Sequence, residues 1–69
     1  MMQKVITDVQ VGEKIKVDGW QGYVTELRPN LYGRIYVTLS LPSGAIYGTP
    51  VNPNTVVEVI KPLYTLRKR

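Results

Sequence analysis

Apolar and polar residues alternate along most of the chain. In "EKIKV" Ile15 and Val17 fall on one side, with Lys14 and Lys16 on the other. In "RIYVTLSL" Ile35, Val37, Leu39 and Leu41 share one face, and Arg34, Tyr36, Thr38 and Ser40 the opposite one. Successive side chains of a strand leave opposite faces of a sheet, so a period of two sustained this long predicts β structure. "YVTEL" (23–27) and "VVEVI" (56–60) are shorter runs rich in β-branched residues. No window carries the i, i+3, i+4 stripe of a long helix.

Turn residues divide these runs. "DGWQG" separates the first two, "RPNLYG" the second and third, and "PSG" makes a tight hairpin into "AIYG". "TPVNPNT" holds two prolines and two asparagines, which excludes a central strand and predicts a short 3₁₀ turn. The PxxP spacing of "PVNP" is read as part of this turn rather than as a polyproline ligand. Five strands are expected, at about 12–17, 22–28, 34–41, 45–48 and 56–60, with "KVITDV" (4–9) as a possible extra edge strand.

Five short strands cannot bury a flat sheet in water, whereas a twisted sheet that curls on itself shares one core. The expected core is Ile15, Val17, Val24, Ile35, Val37, Leu39, Ile46, Val57 and Val59 or their immediate neighbours. The expected class is all-β, with residues 1–60 as a single domain and 61–69 as a basic tail.

Length and composition narrow the chemistry. With 69 residues the chain is one domain at most. It has no cysteine, so no disulfide and no thiolate zinc site forms, and no histidine, the commonest general base. The carboxylates Asp8, Glu13, Asp18, Glu26 and Glu58 are scattered, and Ser40 and Ser43 lack a histidine partner. "DGWQGY" lacks the Lys-Ser/Thr pair and the helix of a phosphate-binding loop. The expectation is a non-enzymatic binding protein that uses no cofactor and no metal. No segment reaches the ~20 apolar residues of a membrane span, and no N-terminal run suits a signal peptide. A cytoplasmic protein without membrane contact is therefore expected.

The net charge of +4 is unevenly placed. Over residues 1–60, Lys4, Lys14, Lys16, Arg28 and Arg34 balance the five carboxylates; the excess lies in Lys61, Arg67, Lys68 and Arg69. The tail "KPLYTLRKR" has three readings: a basic arm on phosphates, an edge segment that pairs through "LYTL", or a solubilising end.

The stretch "VGEKIKVDGWQGYVTEL", a following hairpin and "VNPNTVVEVI" together resemble a small SH3-like barrel. More narrowly, they resemble the KOW-type and tudor-like barrels and the short barrels of small bacterial and phage proteins. The resemblance spans about residues 11–60 and implies a five-stranded barrel. KOW-type motifs place a basic residue just before the second glycine, where this chain has Gln21.

The aromatic residues are one tryptophan and five tyrosines, with no phenylalanine. Each has a polar tip suited to a wet boundary. Tyr36 falls opposite the core residues and is expected to share the outer face with Tyr23 or Tyr47, beside Arg34, with Arg28 and Tyr32 bordering the next loop. Trp20 either covers one end of the barrel or stands exposed for recognition. Tyr, Trp and Arg are enriched at binding hot spots, although tyrosines also stabilise strands by pairing across them.

Two functions follow from these residues. In the first, the protein is a nucleic-acid-associated accessory factor, with Arg28, Arg34, Tyr36 and the tail residues Arg67, Lys68 and Arg69 meeting phosphates and bases of DNA or RNA. In the second, Trp20, Tyr23, Tyr36 and Tyr47, with Tyr32 nearby, form a hot spot of a phage or mobile-element module. Such a module would dock on a larger host or phage protein, or self-associate as a homo-oligomer through a barrel edge.

Overall fold

A computed structural model describes residues 2–62. It contains six strands and one 3₁₀ turn: β1 (Met2–Val5), the 3₁₀ turn (Ile6–Asp8), β2 (Lys14–Val17), β3 (Trp20–Pro29), β4 (Ile35–Ser40), β5 (Ile46–Val51) and β6 (Val56–Lys61). All lie in one antiparallel sheet of order β1-β6-β2-β3-β4-β5. The class is all-β. Two expectations are corrected: there are six strands rather than five, and the sheet is not closed, because β1 and β5 remain edges. No helix among the described residues is long and apolar enough to cross a membrane.

One face of the sheet carries the core. Ile15, Val17, Val24, Val37, Leu39, Val57 and Val59 are buried on it, as the alternation predicts. Full burial of residues on a single sheet requires the sheet to curl over itself. β3 makes this possible. A bulge between Val24 and Glu26 bends the ten-residue strand, so its first part pairs with β2 and its second part continues along β4.

Two core residues were not expected. Ile6 and Val9 are buried beneath the curled sheet. They explain why the first strand covers residues 2–5 rather than 4–9: the chain leaves the sheet at Ile6 in the 3₁₀ turn, which points that side chain inward. This turn, and not the segment before β6, is the 3₁₀ element of the described residues. Asn52–Thr55 instead closes as a hydrogen-bonded turn, Thr55 N–H donating to the Asn52 carbonyl at 2.9 Å.

The turn after β2 is shorter than "DGWQG" suggests. Asp18 and Gly19 alone make it, with φ of 52° and 84°, and Val17 pairs directly with Trp20. Positive φ at both central residues defines the hairpin turn whose twist matches its strands, and Asp-Gly favours it. β5 is longer than expected and runs through Thr49 and Pro50 to Val51. An edge strand tolerates proline because its missing N–H can face away from the neighbour.

The β4–β5 register decides between Ile46 and its neighbour. Ser40 lies opposite Ile46 and Leu39 opposite Tyr47. Ile46 therefore points outward, 75% exposed, and Tyr47 takes the inward position against the core. A phase difference of one residue exchanges the two faces of a strand. Ile35, also placed in the core by the sequence, is half-buried and packs against it.

Candidate binding surface

The outer face of the sheet follows from the same register. One row across it holds Lys14, Tyr23, Ser40 and Ile46; another holds Arg28, Tyr36 and Pro50. Tyr23 and Tyr36 thus share the outer face as expected, and Tyr47 does not. Lys14 Nζ sits 5.7 Å from the centroid of the Tyr23 ring, within cation–π range. A register shift between Lys14 and Ile15 also sets Lys14 directly opposite Lys61 of β6. Like charges placed directly opposite repel.

Arg28 is exposed and pairs through Nε with Glu26 at 3.1 Å. Beside it lies an open groove of about 490 Å³, lined by Arg28, Pro29, Asn30, Leu31 and Tyr36. A second groove of about 300 Å³ is lined by Lys14, Gly22, Tyr23, Ser40, Leu41 and Pro42. The Tyr36 ring lies over Gly48 of β5, where a side chain would collide with it.

The β3–β4 connection is braced by one side chain. Asn30 Oδ1 accepts from Tyr32 N–H at 2.8 Å and from Arg34 N–H at 3.1 Å, while Asn30 N–H donates to the Arg34 carbonyl at 2.7 Å. This Asx-type turn leaves Leu31 94% and Tyr32 85% exposed at the tip. Arg34 is exposed at its base.

Trp20 and Tyr47 occupy a different place. Their ring centroids are 5.7 Å apart at the rim of the inner face, and the Tyr47 hydroxyl donates to Asp18 Oδ2 at 2.9 Å. The Asp18 carboxylate raises the pKa of that hydroxyl, because it favours the protonated donor and repels the phenolate. Trp20 is half-exposed and meets Tyr47 rather than the core cluster. These two aromatics do not join Tyr23 and Tyr36 in one cluster.

Folding also sorts the carboxylates. Glu13 is fully buried and held by Lys4 at 2.8 Å, and Asp18 turns to the inner rim. The outer face and its margins keep Lys14, Lys16, Arg28, Arg34 and Lys61 against Glu26 and Glu58. The outward phase of Lys14 and Lys16 was readable in "EKIKV"; their meeting with Tyr23 and Lys61 depends on register. Arg67, Lys68 and Arg69 lie outside the described residues. No group of three or more metal-ligating side chains occurs among the described residues. Comparison with protein-family models, curated proteins and solved structures finds no match to this chain.

Proposed function

We propose that this domain is an open relative of the SH3-like barrels and a non-enzymatic module that binds nucleic acid across its outer face. The observation that carries the reading is the sorting of charge. Lys14 lies over Tyr23 and Arg28 stands opposite Tyr36 on the outer face, while Glu13 and Asp18 are turned away from it. Phosphates would sit at the Lys14–Lys61 pair and beside Arg28 and Arg34. Unpaired bases would stack on Tyr23, Tyr36 and the exposed Tyr32, each stacked base contributing ~1–3 kcal/mol.

The test is fluorescence anisotropy with labelled single-stranded DNA, RNA and duplex at several salt concentrations. Affinity is expected to fall with salt, and Lys14→Ala or Arg28→Ala to flatten the logarithmic slope by about 0.7–0.9 each. Absence of binding at low salt, with the fold intact, overturns the reading.

The braced hairpin tip favours a second reading, a phage or host protein as partner. Leu31 and Tyr32 have the form of an apolar anchor held in advance of binding. Loss of a co-purifying protein on Leu31→Ser, with nucleic-acid affinity unchanged, would assign the tip to that partner.

A further inference from the structure

Among the described residues β5 is an edge strand, and two observations fix which of its backbone groups face outward. Pro50 has no N–H, so its pairing with Tyr36 is of the kind in which the two residues exchange no hydrogen bonds. The hairpin bond from Leu41 N–H to the Ala45 carbonyl, 2.9 Å, sets the same phase. Tyr47 and Thr49 therefore direct their backbone groups to β4, and Ile46, Gly48 and Pro50 direct theirs away from the sheet. The edge offers two donors, at Ile46 and Gly48, and three carbonyls.

Natural edges are protected by proline, which β5 has in Pro50, or by charged side chains. β5 has no charged side chain among its six residues, and its Ile46 is 75% exposed. We propose that β5 pairs antiparallel with β5 of a second copy, about a two-fold axis at Gly48. In that register the two Gly48 residues exchange both of their bonds. Each Ile46 N–H donates to the Pro50 carbonyl of the other copy. Every edge donor is then satisfied; because Pro50 has no N–H, each Ile46 carbonyl is left outside the ladder. Each Ile46 side chain lies beside the other copy's Pro50 on the outer face, and no like charges meet. The interface is isologous and closes as a dimer.

The opposite edge provides the internal control. The bond from Ile6 N–H to the Thr55 carbonyl, 2.8 Å, sets the phase of β1, whose outward groups belong to Gln3 and Val5.

Sedimentation of the full chain over a wide dilution series, with amide hydrogen exchange at each concentration, tests the proposal. A monomer–dimer equilibrium is expected, with Ile46 and Gly48 amides slowing as concentration rises and those of Gln3 and Val5 unchanged. Ile46→Lys is expected to weaken the dimer at least about tenfold, roughly 1.4 kcal/mol, with the Trp20 near-UV signal intact. A chain that stays monomeric overturns the proposal. So does a dimer that protects Gln3 and Val5 instead, a readout that needs no variant to fold.

Discussion

Lys4 of β1 closes a 2.8 Å ion pair on Glu13, a carboxylate with no exposed surface. The other oxygen of Glu13 accepts the Gln10 N–H at 3.0 Å, and its backbone carbonyl accepts Val24 N–H at 2.9 Å. One residue thus joins the edge strand, the turn before β2, and β3. Removing one partner of a buried pair costs ~3–5 kcal/mol. Lys4 keeps some solvent contact, so Lys4→Met is expected to cost less, about 2–3 kcal/mol by urea unfolding. The double change Lys4→Met/Glu13→Leu should recover much of it, since no charge is then buried. A loss below about 0.5 kcal/mol in the single variant would make the pair incidental.

Gly22 and Gly48 are both crowded but differ in what crowds them. A Cβ at Gly22 would lie 2.6 Å from the Ser40 carbonyl oxygen, which is backbone; at Gly48 the nearest atom, at 2.5 Å, is the Tyr36 hydroxyl. Gly22→Ala must push two strands apart and is expected to cost about 2–3 kcal/mol. Gly48→Ala needs only the Tyr36 ring to swing and should cost about 1 kcal/mol or less. Equal losses in thermal denaturation would refute this distinction.

The Tyr47–Asp18 hydrogen bond makes stability depend on alkaline pH. The folded state holds the Tyr47 proton more tightly than the unfolded chain, so the stabilisation is complete below the ordinary tyrosine pKa of about 10. It is lost as pH rises through the higher folded value. Denaturant unfolding across this range should show a decline that is smaller in Tyr47→Phe and in Asp18→Asn. An identical pH profile in all three proteins would exclude the linkage.

Asn30→Ala removes two hydrogen bonds that brace the β3–β4 tip. The expected loss is about 1 kcal/mol, because both bonds are exposed. Exchange of the Tyr32 and Arg34 amides should accelerate more than exchange elsewhere. Asn30→Asp keeps an acceptor at the same place and should restore most of the protection.

The strands and most of the core were legible because one polar residue separates each inward apolar one. The alternation failed where two apolar residues adjoin. Ile46 and Tyr47 both suit an inward position, and only the β4–β5 register decides between them. Asp18-Gly19 was readable as a turn, but its two-residue length, which places Trp20 in β3, was not. Glu13 defeated the reading for another reason: a charged residue is ordinarily exposed, and its cation comes from Lys4 on a different element. The outer-face positions of Tyr23 and Tyr36 followed from strand phase. The opposition of Lys14 and Lys61 depends on a register shift that leaves no mark in local sequence.

The place of β6 has a kinetic consequence. It lies between β1 and β2, and its register joins Met2 to Val59, near opposite limits of the described residues. The β2-β3-β4-β5 meander assembles from neighbouring hairpins, which close small loops quickly. β6 must wait for a long-range encounter whose entropy is lost before any contact forms. Refolding should therefore be limited by the search of β6 for its slot, with the meander already shaped. Alterations in β1 would then act chiefly on how fast the native protein opens.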